Sequence, residues 1–453
     1  MQTLNPATEQ VIASYSLMDA QHVDGLIQQV STAQQDWADS DFSIRKRTMM
    51  HLGQLLRESK DTYAKLITDE MGKPISQSIK EILKCADLCD FYAVHGEAFL
   101  QPELIKTEFQ KSYRCFQALG VVFAIMPWNF PFWQVLRFAV PNLMAGNGAV
   151  LKHAPNCIGT SLAIEHLFAQ AGFPKDLFHS LVIDLDLVPQ VIHHPKIIGV
   201  TLTGSNRAGK SVAQEAGSAL KKVVLELGGS DPYVVLEDAD LELAAEQCVA
   251  SRLSNCGQVC IAAKRMIVVE SVQEEFEHLV LEKAKTYTMG NPLLAETMLG
   301  PMARKDLRDS VHAQVQRTIA AGARCILGGE IPKRTGFYYP ATMLVNVTPD
   351  SPAFTEELFG PVICCTSAKN EAEAMSLANQ SEFGLSAAIF TKDLARGERL
   401  AKDYMNVGTC AVNSLVASDP RLPFGGIKQS GYGRELAVEG MREFVNVKTV
   451  VVR

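Results

Sequence analysis

The chain has 453 residues, which is long for one hydrophobic core, so two or three domains are expected. Apolar residues make up 47% and charged residues 21%, a balance that excludes disordered, collagen-like and disulfide-stapled proteins. Lys and Arg total 43 against 50 Asp and Glu, and the net charge of −7 leaves no broad basic surface for a nucleic-acid backbone.

The cysteines and the apolar segments indicate where in the cell the protein is expected. The 11 cysteines form no CxxC pair and show neither zinc-site nor disulfide spacing, so we expect no metal site and a reducing compartment. The first residues lack the pattern of a signal peptide, which makes the cytoplasm the expected location. Residues 115–136 carry no charge and are long enough to span a membrane. Pro127 and Pro131 would leave backbone groups unsatisfied in lipid, so we expect no membrane partner.

Taken in chain order, the sequence changes character at Gly120. The first hundred residues have helical apolar spacing, at 45–58, 61–71 and 76–99. Short apolar runs then alternate with helical stretches, the strands at 121–126, 149–151, 197–202 and 223–226 and the helices at 157–171 and 207–219. A second cycle follows Gly228, with strands near 232–236 and 264–269 and helices near 240–251 and 271–286. This alternation predicts an α/β fold of two α/β domains with mainly parallel sheets.

The predicted domains are built from several chain segments. The first comprises residues 1–104 and 119–228, with 424–442 packing back onto it, and the second comprises 229–423. Segments 105–118 and 443–453 alternate in strand fashion but cannot fill a core of their own. We expect them to pair as a projecting flap that closes an interface with another subunit, giving a homodimer or homotetramer.

A cysteine follows a glycine turn in the segment 255–260, and its context is informative. A lone cysteine is usually structural. Here it lies among other short motifs, in the order PWNFP at 127–131, TGS at 203–205, LELGG at 225–229, GQVC at 257–260, EELFGP at 356–361, PFGG at 423–426 and KQSGYGRE at 428–435. Together these motifs resemble those of the aldehyde dehydrogenase superfamily over essentially the whole chain. The resemblance implies a Rossmann-like cofactor-binding domain followed by a catalytic domain.

The resemblance makes Cys260 the nucleophile. An aldehyde gives up hydride readily only after a nucleophile has formed a tetrahedral adduct, and a thiolate suits that attack. The resulting oxyanion needs hydrogen-bond donors, and the family-like arrangement would use the Asn129 side-chain amide and the Cys260 backbone N–H. Alternatively, Asn129 is only a turn residue between Pro127 and Pro131.

Hydrolysis of the remaining thioester needs a general base. Glu226 follows an apolar strand and precedes Gly228 and Gly229, where the chain can turn beside a ligand. The alternative for Glu226 is a carboxylate that caps or pairs at the domain junction.

No GxGxxG motif follows an early strand, so the common dinucleotide fingerprint is absent. Residues 204–209 instead follow a strand and open a helix, which would turn free N–H groups toward a pyrophosphate. The family resemblance assigns further contacts with a nicotinamide dinucleotide. They are Gly204 and Ser205 in TGS, Lys152 on the adenosine ribose, Glu357 on the nicotinamide ribose, Phe359 against its ring, and also Trp128 and Leu227.

The sequence departs from many relatives after Lys152, where His153, Ala154 and Pro155 replace a proline, a small residue and a glutamate. That glutamate grips the ribose 2′-hydroxyl and would repel a 2′-phosphate. NAD is the predicted cofactor, and the missing glutamate is expected to relax discrimination against NADP. His153 is either a contact with the cofactor or a structural residue. Lys152 could equally be a solvated charge and Glu357 a helix-end carboxylate.

The substrate is suggested by Arg137, eight residues beyond Asn129 and so about two helical turns away on a similar face. The segments MPWNFPFWQVLR, LKHAPN, LELGGSDP and GQVCIAAKR look like those of bacterial-type succinate-semialdehyde dehydrogenases, in which an arginine at this offset receives the far carboxylate. Some of them carry a second arginine where this chain has Ser254. The aromatic residues expected to shape the tunnel are Phe130, Trp133 and Phe424.

Other interpretations remain open from the sequence. The aldehyde could be glutarate semialdehyde or an aromatic aldehyde, and a catalytically silent relative would keep the same fold. Arg137 could be an ion-pair partner at a helix surface or interface. Cys256 is either a small buried residue or, with Cys260, half of an oxidation-sensitive pair.

Overall fold

The computed structural model describes residues 1–453. The helices are α1 Ala20–Ala38, α2 Phe42–Glu58, α3 Lys60–Met71, α4 Ile75–Phe99, α5 Trp133–Met144, α6 Ile158–Ala171, α7 Val188–His193, α8 Asn206–Ser218, α9 Leu241–Leu253, α10 Glu270–Lys285, α11 Lys305–Ala320, α12 Pro352–Thr355, α13 Glu371–Asn379, α14 Leu394–Asp403 and α15 Ala437–Arg442. The strands are β1 Gln2–Leu4, β2 Val11–Ser14, β3 Glu103–Leu104, β4 Lys111–Ala118, β5 Val121–Met126, β6 Gly148–His153, β7 Phe178–Ser180, β8 Ile197–Thr203, β9 Lys222–Glu226, β10 Pro232–Val235, β11 Arg265–Val269, β12 Arg324–Leu327, β13 Thr342–Val345, β14 Val362–Ala368, β15 Phe383–Gly384, β16 Ser386–Phe390, β17 Thr409–Val412, β18 Ile427–Lys428, β19 Gly431–Tyr432 and β20 Val445–Val452. Short 3-10 turns occur at Pro155–Cys157, Leu185–Leu187 and Ser254–Gly257.

The first large sheet has six strands in the order β19-β9-β8-β5-β6-β7. All neighbours pair in parallel except β19, which is antiparallel to β9. Strand β6 is buried along its whole length, and β5 along nearly all of it, as expected for central strands covered on both faces by helices. Because β5, β6, β8 and β9 run in one direction, their carboxyl ends lie along one edge. That edge carries PWNFP, Lys152, the TGS motif and Glu226.

The second large sheet has seven strands in the order β12-β13-β14-β11-β10-β16-β17. It too is parallel, apart from the antiparallel edge strand β12. The predicted fold class, two α/β units with mainly parallel sheets, is confirmed. An extensive buried apolar cluster contains residues from both sheets and from helices α2–α5, so the segment 254–260 after α9 lies on a continuous packed support.

The antiparallel pair β1–β2 lies within the segment whose spacing predicted mainly helix. Its strands are short, and β2 is largely exposed, so it lacks the apolar alternation that marks a core strand. The predicted helices at 45–58, 61–71 and 76–99 correspond to α2, α3 and α4.

The two segments predicted to form a flap do pair. Strand β20 runs antiparallel to β4 with Val445 opposite Ala118 and Val452 opposite Lys111, and β3 completes a three-stranded sheet. The flap strand β4 starts at Lys111, later than the predicted 105.

No helix in the structure combines the length and apolar character that crossing a membrane requires. The uncharged stretch 115–136 is divided among the end of β4, all of β5, the PWNFP loop and the first turn of α5.

Candidate active site

The segment 254–260, which ends at the predicted nucleophile Cys260, begins with an unusual backbone turn. Helix α9 ends at Leu253, and three successive residues then adopt left-handed conformations, with φ of 49° at Asn255, 54° at Cys256 and 71° at Gly257. A Cβ on Gly257 would lie 2.1 Å from the Gly360 carbonyl oxygen, so only glycine fits there. Left-handed non-glycine residues cost about 1–2 kcal/mol each, and the surrounding contacts must supply this energy.

Side-chain amides join this turn to the PWNFP loop. Asn255 Nδ2 donates to the backbone oxygen of Asn129 at 2.7 Å, and its backbone N–H donates to Gln77 Oε1 at 2.8 Å. Asn129 Nδ2 in turn donates to the Gln258 carbonyl at 3.1 Å. An amide NH₂ has two hydrogens, so this bond leaves the second one for another acceptor. The sequence analysis did not identify Asn255 or Gln258 as residues of the site.

A buried carboxylate fixes the other end of the PWNFP loop. Glu81 Oε1 accepts from the backbone N–H groups of Phe132 at 2.9 Å and Trp133 at 3.0 Å, at the start of α5. Its other oxygen forms an ion pair with buried Lys73, whose ammonium lies 3.8 Å from the Phe130 ring centroid. A carboxylate at a helix N-terminus satisfies orphan donors and favours the helix dipole. Asn129 is therefore held between Glu81 and Asn255.

Cys260 is half-buried and lies four residues before Lys264. Lys264 Nζ donates to the Cys260 carbonyl at 2.6 Å and pairs with Glu357 Oε1 at 2.7 Å. Burial raises the pKa of the Cys260 thiol to about 11, although the positive charges of Lys264 and Arg137 lower it in part. With that pKa, only about one thiol in ten thousand is ionised at pH 7, so the resting group is the neutral thiol.

Glu226 is the last residue of β9 and is 2% exposed. Its Oε1 has no hydrogen-bond partner, and a Cβ on Gly425 would lie 2.7 Å from that oxygen. Burial first, and then the nearby Glu435, raise the pKa of Glu226 well above its usual value, whereas Arg137 and Arg434 lower it. The raised pKa favours the protonated form of Glu226 over the carboxylate, and the PFGG glycine Gly425 leaves space beside it.

A cavity of about 510 Å³ opens beside Cys260. The predicted residues that line it are Cys260, Arg137, Phe130, Trp133 and Phe424. Asn129, Glu226 and Trp128 are not among the residues that line it.

Arg137 is buried, at 2% exposure, on helix α5. Its Nε forms an ion pair with Glu435, and its guanidinium carbon lies 4.6 Å from the Phe424 ring centroid. Its one hydrogen bond within the chain is a long one, 3.5 Å from Nη2 to Thr203 Oγ1. The guanidinium therefore has donors left for a ligand in the cavity.

The residues predicted to hold the cofactor fall into two groups. Near the nucleophile, Glu357 Oε1 accepts from the Gly229 N–H at 3.2 Å as well as from Lys264, and a Cβ on Gly228 would collide with Glu357 Oε2 at 2.2 Å. Phe359 makes an edge-to-face contact with Trp128 at 5.8 Å between centroids. The LELGG glycines thus leave room for the Glu357 carboxylate beside the Cys260 segment.

The second group lies at the carboxyl ends of β6 and β8. Ser205 caps α8 by accepting from the Ala208 N–H at 3.3 Å, and the space around Gly204 is open, with no atom closer than 3.6 Å to a Cβ built there. Lys152 is 5% exposed and makes no ion pair or hydrogen bond within the chain. Burial lowers its pKa. Leu227 packs against Gly209 of α8.

His153 has both ring nitrogens engaged. Nδ1 lies 2.8 Å from the Ala154 N–H and must accept, so Nε2 carries the hydrogen and donates to the Pro131 carbonyl at 3.0 Å. Burial lowers the pKa of His153 to about 4, and it is neutral at physiological pH. Of the two interpretations, the structural one fits these contacts.

Cys256 is 1% exposed, and its Sγ donates to the Gly300 carbonyl at 3.5 Å. Burial raises its pKa to about 12. Cys256 is absent from the lining of the cavity that Cys260 faces, which agrees with a small buried residue in the wall.

Comparisons with known proteins show the family to which the chain belongs. The model of the Aldehyde dehydrogenase family matches residues 1–450. The chain is 47% identical to the succinate semialdehyde dehydrogenase [NAD(P)+] of Escherichia coli K12 over 99% of this chain and 97% of that protein. It is 44% identical to a probable succinate-semialdehyde dehydrogenase [NADP(+)] of Synechocystis, over 99% and 98%. A crystal structure of succinic semialdehyde dehydrogenase from Streptococcus pyogenes with NADP+ matches with a TM-score of 0.97 at 36% identity, covering 100% and 99% of the two chains. The chain is a member of the aldehyde dehydrogenase family.

Proposed function

We propose that this enzyme oxidises succinate semialdehyde to succinate and transfers the hydride to NAD or NADP. One observation carries the proposal: Cys260 and the guanidinium of Arg137 line the same 510 Å³ cavity. An aldehyde at the thiol can therefore extend a distal carboxylate toward a cation. Two relatives, 47% and 44% identical over nearly the full chain, are named for this activity.

The chemistry begins when Cys260 Sγ forms a bond with the aldehyde carbon and the thiol proton passes to water. The second amide hydrogen of Asn129 and the backbone N–H of Cys260 stabilise the oxyanion of the adduct. Losing one such donor typically costs about 10²–10³ in rate. When bound, the nicotinamide ring supplies the acceptor for the hydride that the adduct releases. What remains on Cys260 is a thioester.

Hydrolysis then depends on Glu226. As a carboxylate it takes a proton from water, the resulting hydroxyl adds to the thioester carbon, and the carbon–sulfur bond breaks to release succinate and the free thiol. A raised pKa makes the carboxylate form scarcer but a stronger base. The unpartnered Oε1 beside Gly425 supports this role, because a carboxyl held for purely structural reasons would satisfy both oxygens.

The chain fits a nicotinamide dinucleotide. The unpartnered ammonium of Lys152 and the open space at Gly204, at the start of α8, suit the adenosine and pyrophosphate half. Glu357, Phe359 and Trp128 would hold the nicotinamide half. Ser205 and Leu227 shape the start and packing of α8. Pro155, the first residue of a 3-10 turn, replaces the carboxylate that would repel a 2′-phosphate, so both NAD and NADP are accepted.

We also propose a homodimer or homotetramer in the cytoplasm. Apolar side chains on the flap sheet are exposed, at 73% for Leu104, 52% for Val447 and 48% for Val451, and a second copy would cover them. All eleven cysteines are unpaired, as in a reducing compartment.

Steady-state kinetics test the function directly. Purified protein is assayed with succinate semialdehyde, glutarate semialdehyde, butanal and benzaldehyde, each with NAD and with NADP, by following nicotinamide absorbance. The highest kcat/KM is expected for succinate semialdehyde. A higher value for glutarate semialdehyde or benzaldehyde would move the assignment to that aldehyde, and absence of turnover with all four would indicate a silent relative.

A further inference from the structure

One face of helix α4 forms a wall of the catalytic cavity. The residues that it contributes are Ser76, Gln77, Lys80, Glu81 and Lys84. Their spacing of three or four places them on one side of the helix. Residues 415–418 and Arg137 on α5 also line the cavity. The sequence motifs did not draw attention to α4, because it contributes no catalytic group.

Lys84 is a cation in this wall without an anionic partner. Its Nζ donates to Ser418 Oγ at 2.6 Å and lies 4.0 Å from the Trp133 ring centroid. No carboxylate lies within ion-pair distance of Nζ: Glu81 pairs with Lys73, and neighbouring Asp419 pairs with Arg421. Burial and the nearby Arg137 lower the pKa of Lys84 to about 8. The protonated ammonium is therefore less stable here than in water, and a bound anion would stabilise it.

The two cations of the cavity differ in how their charge is balanced. Arg137 is neutralised by Glu435 inside the protein, whereas Lys84 has only a hydroxyl and an aromatic face. An entering carboxylate therefore gains more net attraction from Lys84 than from Arg137. The Ser418 hydroxyl, which accepts from Lys84, keeps its own hydrogen free to donate to the same carboxylate.

We propose that Lys84, supported by Ser418, contacts the far carboxylate of the substrate together with Arg137 and decides the preference for aldehydes that carry such a group. The proposal rests on the proposed function and adds to it a residue that determines specificity. It also accounts for Ser254, at the position where some relatives have a second arginine, because α4 supplies the second cation.

The test compares Lys84→Met and Lys84→Arg with the unchanged enzyme, using succinate semialdehyde and butanal. Methionine keeps the length and the contact with Trp133 but removes the charge. In Lys84→Met we expect kcat/KM for succinate semialdehyde to fall roughly 10- to 100-fold, mostly through KM, because a charged hydrogen bond to the substrate is lost. Butanal should keep its kcat/KM within about threefold. Lys84→Arg should recover most of the preference, and the inhibition constant of succinate should rise in Lys84→Met alone.

Lys80→Met is the matched comparison, since Lys80 is one turn earlier on the same face of α4 but exposed. An equal loss of preference in Lys80→Met would show that the general positive field, and not Lys84, is responsible. Equal losses for both aldehydes in Lys84→Met would show a structural role and overturn the proposal. A preference retained in Lys84→Met would overturn it while leaving the proposed function standing. If the unchanged enzyme does not favour succinate semialdehyde over butanal, the proposed function fails, and this proposal with it.

Discussion

The reactivity of Cys260 should depend on pH in a way that an ordinary cysteine does not show. Alkylation by iodoacetamide requires the thiolate. With a pKa of about 11, the thiolate fraction rises about 100-fold between pH 7 and pH 9 and continues to rise above pH 9. A free cysteine with a pKa of about 8.5 would gain about 25-fold over the same range and then level off. In the enzyme without cofactor, we therefore expect a log-linear increase with no plateau below pH 10.

The assay is peptide mass spectrometry after timed labelling. Trypsin cleaves after Arg252 and Lys264, so one peptide carries both Cys256 and Cys260, and fragment ions assign the label to one of them. Cys260→Ser should leave this peptide unlabelled, because the buried Cys256 thiol has a pKa of about 12. Circular dichroism at each pH checks that the fold persists. A rate that levels off near pH 8.5, or a label on Cys256, would refute this reasoning about the thiol and its surroundings.

Four further outcomes are expected. Glu226→Gln should accumulate a thioester on the protein, seen as added mass by intact-protein mass spectrometry, and its steady-state turnover should fall roughly 10²–10⁴-fold. In the unchanged enzyme, hydrolysis of the thioester should speed up as pH rises, because burial raises the pKa of Glu226 and only its deprotonated form acts as a base. Arg137→Ala should lower the preference for succinate semialdehyde over butanal by about 10- to 150-fold, and an unchanged kcat/KM ratio would contradict its role. Asn129→Ala should reduce kcat by about 10²–10³ while NAD affinity, measured by calorimetry, stays the same. Gly257→Ala should destabilise the fold by roughly 2–5 kcal/mol in urea titration because the added Cβ meets backbone at 2.1 Å, whereas Gly172→Ala, also at positive φ but with nothing within 4 Å, should cost only about 1–2 kcal/mol.

Much of the architecture follows from local pattern. Strand β5 has the limits that the sequence predicts, because a short, fully apolar run between a glycine and a proline-rich loop is typical of a buried strand. The antiparallel edge strands β12 and β19 were not predicted. Strand β19 has only two residues, Gly431 and Tyr432, which is too short to show any periodicity.

Site residues could be predicted where they lie in recognisable motifs. Residues whose roles depend on partners far away in the sequence could not. Cys260, Arg137 and the aromatic residues could be placed in one cavity from their motifs. Asn255 and Glu81 could not, because their roles depend on partners 126 and 51 residues away. An asparagine adopts a left-handed conformation more readily than most residues, and Asn255, two residues before the GQVC motif, offered only that signal. Lys84 offered no signal at all, because one lysine on an amphipathic helix resembles any solvated charge.

The pairing of β9 with β19 has a consequence for how the enzyme matures on the ribosome. Gly431 pairs with Glu226, the Leu227 N–H donates to the Ser430 carbonyl at 3.0 Å, and Ser430 Oγ donates to the Gly228 carbonyl across 202 residues of chain. A nascent chain that already contains Cys260 and the first sheet up to β9 still lacks β19, the strand that pairs with Glu226. On the proposed role of Glu226, hydrolysis therefore requires β19, and a product truncated before Gly431 that still folds would keep its acyl group on Cys260 instead of turning over.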